Sequence, residues 1–374
     1  MRPSLVRTVL VVLFALCVSS FSACATASAD DVSFFYAELA PYGAWVDIEP
    51  YGLCWVPGDV GFCWRPYTDG YWDWTDSGWC WESEHEWGWA CFHYGRWFRS
   101  PDWGWCWVPG IVWAPCWCMW RFGDDWIGWC PLPPDENFRH GRDFDFDDID
   151  FDDFHRWRDF CFCKKESFCD HDLGKKIVLA ARNVNLLPVT KNVTDLKEER
   201  GRGVNQSFAA DPIEKAIGHA IPKLKLADMA QRGRAEVRGD ALRMFRPQIA
   251  GGKPTQVPPA VEHKGAAPSE KELLQREQTG RQGLEESLSK QRQELHRYHN
   301  EQLTAPPPGM SLPELHRQQQ AEIRAFNEHA YNEREQFERR QEHAWGGPGA
   351  MGPPAMPERQ GGGVAPGGGG GRRR

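Results

Sequence analysis

The chain has 374 residues, 52 acidic against 44 basic side chains, a formal net charge of −8 and 20 tryptophans. That length allows two or three domains. The acidic balance leaves no global basic field to recruit nucleic acid, and no run after the N-terminus is long and apolar enough to cross a membrane.

Met1 to Ala29 has the layout of an export signal. Arg2 and Arg7 supply the positive start, Val9 to Val18 the apolar centre, and Ala27-Ser28-Ala29 an A-x-A cleavage site. Phe21-Ser22-Ala23-Cys24 offers a second outcome, a lipobox with Cys24 as the lipidated residue. Either way the mature chain is expected outside the cytoplasm: periplasmic, secreted, or tethered to the outer membrane through Cys24. Thirteen cysteines fall to eleven if Cys17 and Cys24 leave with the leader, in a compartment that favours oxidation.

Residues 33–134 form a tryptophan-rich module in which the same units recur. Gly43-Ala44-Trp45, Gly70-Tyr71-Trp72 and Gly95-Arg96-Trp97 are each followed by a Gly-x-Cys-Trp element. These end at Cys54-Trp55, Cys80-Trp81 and Cys106-Trp107, and a shortened copy closes at Gly128-Trp129-Cys130-Pro131. Such self-similarity marks a repeat architecture. Alternating aromatics broken by Gly, Asp, Ser and Pro predict antiparallel β-hairpins, with tips at Pro50-Tyr51-Gly52, Thr75-Asp76-Ser77-Gly78 and Ser100 to Gly104. Period-2 geometry puts Trp79 and Trp81 on one face and Cys80 on the other, and Trp103, Trp105 and Trp107 opposite Cys106. If stacked units hold two strands each, equivalent cysteines lie about 9.6 Å apart, beyond the roughly 4.4–6.8 Å a disulfide needs. Cys54, Cys80, Cys106 and Cys130 are then not mutual partners. Any bridges would draw on Cys63, Cys91, Cys116 and Cys118, unless these are buried thiols.

Residues 135–247 read as an acidic segment followed by a small mixed α/β region. Seven aspartates lie between positions 143 and 153; a solvated acidic strand accounts for them, and calcium is the weaker alternative because the run lacks EF-hand spacing. Cys161, Cys163, Cys169 and His171 place four soft ligand types close together, compatible with zinc or with a local disulfide. A β-prone run is expected over Lys176 to Val193. A helix is expected at Asp211-Pro212-Ile213-Glu214, with Asp211 as its N-cap and Pro222 as its stop, and a strand over Ala241 to Arg246. A Pro/Gly linker fills 248–268.

Ser269 to Leu303 and Ser311 to His343 predict two helices within a helical hairpin or coiled-coil segment at 269–343. Leu284, Leu288, Leu295 and Tyr298 form one apolar seam, and Leu315, Ile323, Phe326, Ala330 and Phe337 the other. Ser311-Leu312-Pro313-Glu314 is a capping box. These helices are expected to self-associate or to bind another protein. Residues 344–374 are Gly/Pro-rich low-complexity sequence. The fold class expected is therefore mainly β in the N-terminal half, with a small α/β appendage and a helical, then disordered, C-terminal tail.

The module resembles the bacterial WXXGXW-repeat (BcpO-related) Trp-rich family, whose activity is not established. The likeness is carried by Phe34-Phe35-Tyr36 with Pro41-Tyr42-Gly43-x-Trp45, by Trp64 to Trp72, and most specifically by Trp87-Gly88-Trp89-Ala90-Cys91-Phe92-His93-Tyr94-Gly95-Arg96-Trp97. Val108 to Pro115 and Ile127 to Pro134 complete it. The resemblance implies an exported envelope protein and supplies no catalytic residues.

Three functions follow from the residues. Rings too numerous for a small interior would be exposed and stack on a glycan or another envelope surface ligand. The candidates are Trp45, Trp72, Trp74, Trp97, Trp113 and Trp120, with His93 and Arg96 as polar contacts and Arg65, Arg121 and Asp73 near the rim. Alternatively every ring is core and the protein is a structural or assembly scaffold; exposure decides between the two. A metal- or redox-linked cysteine protein is third. No Gly-x-Ser-x-Gly, His-Glu-x-x-His or P-loop is present, so no enzyme is expected.

Overall fold

The computed structural model describes residues 31–58, 60–134, 154–199, 201–251, 254 and 270–346. Residues 1–30, where the export leader and Cys24 lipidation are expected, the aspartate run at 143–153 and its calcium alternative lie outside these residues, as do most of the linker and the low-complexity tail.

Each repeat unit is a hairpin. Strands β1 (Gly43–Ile48) and β2 (Gly52–Pro57) form the first, β3 (Gly70–Thr75) and β4 (Gly78–Ser83) the second. Strands β5 (Arg96–Ser100) and β6 (Gly104–Val108) form the third, β7 (Cys118–Phe122) and β8 (Trp126–Pro131) the fourth. Their registers set Trp45 opposite Trp55, Trp72 opposite Trp81, Trp97 opposite Trp107 and Trp120 opposite Trp129. Directly opposed aromatics are among the strongest cross-strand pairs.

The glycine of each Gly-x-Trp makes that pairing fit. A Cβ on Gly70 would stand 2.1 Å from the Glu82 carbonyl and 2.7 Å from the Trp81 ring, and Gly43 and Gly95 lie in the same way against Trp55 and Trp107. The facing indole lies across a backbone that has no side chain.

The hairpins assemble differently from a simple stack. β2 pairs with β6 through Trp55 and Trp107, giving the order β1-β2-β6-β5. Cys54 and Cys106 are therefore on neighbouring strands and share one small apolar cluster with Val108, which corrects the two-strand spacing expected from the repeat. They remain thiols, as do all eleven described cysteines. Trp103 joins that cysteine cluster rather than the face of Trp105 and Trp107, because it sits in the turn, where strand alternation does not apply.

Later segments seal the hairpins. β9 (Cys161–Lys164) and β10 (Lys191–Asn192) flank the fourth, in the order β10-β7-β8-β9. β11 (Leu196–Glu199) and β12 (Arg202–Asn205) join β4 through a parallel contact of Asn205 with Gly78. A three-stranded sheet of β13 (Lys225–Asp228), β14 (Glu236–Arg238) and β15 (Ala241–Met244) completes the appendage. It covers the cysteine face of β4, where Met244 Sδ lies 3.5 Å from Cys80 Sγ. Both faces of the second hairpin are thus covered.

Short helices occupy the connections: α1 (Phe34–Leu39), the single turn α2 (Gly88–Cys91), α3 (Asn183–Leu186) and α4 (Asp211–Ile217). The run from Lys176 to Val193 forms short turns, α3 and two residues of strand rather than an extended β segment. The Asn183 side chain accounts for this: it is buried and donates to the Trp157 and Phe160 carbonyls at 2.8 and 2.7 Å, tying the backbone into a turn. Asp211 is the first helical residue of α4 and makes no cap, and Gly218, left-handed at φ 81°, ends the helix before Pro222.

Helices α5 (Glu270–Thr304) and α6 (Leu312–Gly346) form the C-terminal pair. The capping box is present, with Ser311 N–H donating to Glu314 Oε2 at 3.0 Å. Leu284, Leu288, Leu295, Leu315, Phe326, Ala330 and Phe337 are buried, whereas Ile323 is 39% exposed. Among the described residues no helix is long and apolar enough to cross a membrane.

Candidate functional site

The tryptophans are the core. Thirteen of the nineteen whose side chains are described are buried and none is exposed. Trp72 joins the second and fourth hairpins, 4.7 Å from Trp120 and 5.9 Å from Trp129, ring centre to ring centre. Trp55 meets Trp97 at 6.3 Å and Trp45 meets Trp107 at 6.4 Å, joining the first and third. Several buried indoles are satisfied by main-chain carbonyls: Trp55 by Leu39, Trp97 by Cys91, Trp107 by Tyr94 and Trp129 by Tyr67. Removing an indole N–H from water costs free energy unless such an acceptor is found.

Of the residues singled out for ligand contact, Trp72, Trp97, Trp113, Trp120, His93 and Arg96 are buried, and Trp45 and Trp74 are half-buried. His93 is held between main-chain groups with Nδ1 3.0 Å from the Ala114 carbonyl, and burial pushes its pKa down to about 4. The Arg96 guanidinium lies 3.5 Å from the Trp117 ring centre, and Arg121 donates to the Thr190 carbonyl at 2.7 Å. These two cations brace the module from within.

Among the described residues, Cys161, Cys163, Cys169 and His171 do not form a group of three whose ligand atoms all lie within 4.8 Å of one another. Cys161 and Cys163 are buried in the main core, and the His171 ring packs on Tyr71 at 4.1 Å.

A polar cleft of about 700 Å³ lies between the module and the helical pair. The β2–β3 connection supplies Cys63, Trp64 and Asp69, β5 supplies Arg99, and α6 supplies His329 and Glu333. Trp64 donates to Asp69 Oδ2 at 2.8 Å, and His85 shares the same oxygen at 3.1 Å. The His85 hydrogen bond holds the Asp69 carboxyl below its ordinary range.

The helices close the cleft by polar and apolar contacts together. Phe62 meets Phe337 at 6.1 Å, Gln336 Nε2 donates to the Ser100 carbonyl at 2.8 Å, and Arg99 forms an ion pair with Glu333. Arg182 donates to the Tyr298 hydroxyl at 2.7 Å, and Asn185 Nδ2 to Glu322 at 2.9 Å.

Sequence reading missed this cleft. Its walls come from segments as far apart as Arg99 and Glu333, 234 residues in sequence. One local signal existed: His329 and Glu333, four apart on a helix, share the face that carries the buried Ala330 and Phe337.

A model for a family of unknown function, DUF6600, matches residues 36–136, which span the four hairpins and stop before the helical pair. Neither a curated protein nor a solved structure matches the chain.

Proposed function

We propose that the protein is an exported, non-enzymatic component of the cell envelope that acts as a structural scaffold. The tryptophan module is its rigid platform, and the helical pair is the part presented to another protein or to a second copy. The observation that carries the reading is the burial of Trp72, Trp81, Trp97, Trp107, Trp120 and Trp129. A ring enclosed on both faces has no surface left for a sugar to stack on. The leader-like N-terminus, with Arg2, Arg7 and the apolar stretch from Val9 to Val18, supports export. The WXXGXW-type likeness supports an envelope setting. Tyr331 and Leu312, 61% and 55% exposed on α6, support a protein partner for the helices.

A second reading keeps a glycan or other envelope ligand and moves it to the cleft. Half-buried Trp64 stands in the wall beside Arg65 and Asp69, an aromatic face with polar neighbours. Titrating the mature full-length chain with peptidoglycan fragments and a polysaccharide panel, followed by tryptophan emission, separates the two. The scaffold reading expects no saturable shift. A saturable blue shift abolished by Trp64→Ala, with the circular dichroism unchanged, would replace it with the second reading.

A further inference from the structure

We propose that Cys63, His329 and Glu333 form a binding site for a divalent ion of the zinc class at the wall of the cleft, with one coordination position left open to it. One donor atom from each residue, a thiol sulfur, a ring nitrogen and a carboxylate oxygen, lies within 4.8 Å of the other two. His329 Nδ1 and Glu333 Oε1 are 3.8 Å apart. Donors on tetrahedral zinc, with bonds of about 2.0–2.3 Å, stand roughly 3.3–3.8 Å from one another. A contraction of at most about 1.5 Å, within reach of side-chain rotation, brings the set to that geometry.

Three further observations point to a ligand. His329 is 5% exposed, and its Nδ1 has no hydrogen-bond partner among the described residues; a buried ring nitrogen without one costs free energy that a metal bond would recover. Among the described residues Cys63 is one of two non-glycine residues with left-handed backbone, φ 62°. That conformation belongs to the loop that sets the sulfur against α5 and α6. Arg99 hydrogen-bonds the Glu333 carboxylate, and ligating carboxylates are ordinarily oriented by such an outer partner.

The donor set selects the ion. A sulfur excludes calcium and magnesium, which take oxygen, and the carboxylate disfavours copper(I), which prefers soft ligands throughout. A catalytic Cys–His–Glu relay does not fit: it needs the imidazole to bridge, one nitrogen to the thiol and the other to the carboxylate, whereas here the donors converge on one point. Binding would release the Cys63 thiol proton to solvent and leave the fourth position to water or a small anion from the cleft.

The test uses the reduced, full-length mature protein and its two half-buried thiols, Cys63 and Cys169. Maleimide labelling is followed by peptide mass spectrometry with and without Zn²⁺. The proposal expects Zn²⁺ to slow labelling of Cys63 by about tenfold or more, since a bound thiolate is no longer a free nucleophile, and to leave Cys169 unchanged. Equal labelling of Cys63 with and without the ion overturns it. Cobalt supplies a second readout, a thiolate-to-metal charge-transfer band that His329→Ala and Cys63→Ser should each abolish while tryptophan emission stays native. A band that survives both variants places the metal elsewhere and overturns the assignment.

Discussion

The indole N–H of Trp129 donates to the main-chain carbonyl of Tyr67 at 2.9 Å, fixing the fourth hairpin to a loop 62 residues earlier. Tyr67 is itself a junction. Its hydroxyl donates to the Phe92 carbonyl at 2.9 Å and accepts from the Trp117 N–H at 3.2 Å, while its ring stacks on Trp72. Tyr67→Phe keeps the ring and strands both main-chain partners in the dry interior. We expect a loss of about 1–3 kcal/mol, measured by urea unfolding, with the near-ultraviolet dichroism of the folded chain retained.

Gly70→Ala tests why the repeat carries a glycine two residues before its tryptophan. The new methyl would collide with the Glu82 carbonyl and the Trp81 ring, neither of which can move without parting the hairpin. A loss of about 3 kcal/mol or more is expected. Gly201→Ala, also left-handed but with nothing within 4 Å of the new atom, should cost only about 1–2 kcal/mol.

Acid should weaken the fold through its enclosed imidazoles. Burial pushes both His93 and His329 down to about 4 from an ordinary 6.5. Between those values the unfolded chain holds more protons than the folded one, so stability is full above 6.5 and is lost as pH falls toward 4. The contribution is on the order of 1–3 kcal/mol for each. Glu82 acts in the opposite sense, because burial and nearby Asp73 raise its pKa. The comparison is therefore between wild type and His93→Gln, unfolded in urea at pH 7.5 and 4.5. The variant should lose less stability between the two.

Arg99→Ala should loosen the helical pair from the module. Glu333, with its side chain 5% exposed, would lose its cationic partner, and an orphaned buried charge typically costs about 3–5 kcal/mol. Limited proteolysis should then cut within residues 270–346 faster than in wild type. Arg99→Ala combined with Glu333→Ala should restore much of the protection.

The hairpins were legible because their signals are local. A glycine, a tryptophan two residues on, and a turn within ten residues define the first three units, with Cys118 in the glycine's place in the fourth, and the facing Trp72 and Trp81 follow from counting around the turn. What joins the units was not. Pairing of β2 with β6 brings Cys54 beside Cys106 through one long-range contact at Trp55 and Trp107, which no local pattern encodes. The expectation that some rings must face solvent rested on a module of about 100 residues standing alone. Phe162, Phe168, Phe208 and Met244, all from beyond it, cover its outer faces. The cleft was hidden for a related reason: on a helix as charged as α6, His329 and Glu333 read as solvated surface until the loop carrying Cys63 is placed against them.

The most direct measurement is iodide quenching of tryptophan emission in the mature full-length chain, in native buffer and after urea unfolding. The scaffold account predicts that most of the native emission is inaccessible, with quenching confined to half-buried rings such as Trp45, Trp64, Trp74 and Trp126, and that unfolding exposes the rest. Quenching of most of the emission in a chain with native dichroism, reversed by a bound glycan, would contradict it and return the tryptophans to a binding surface.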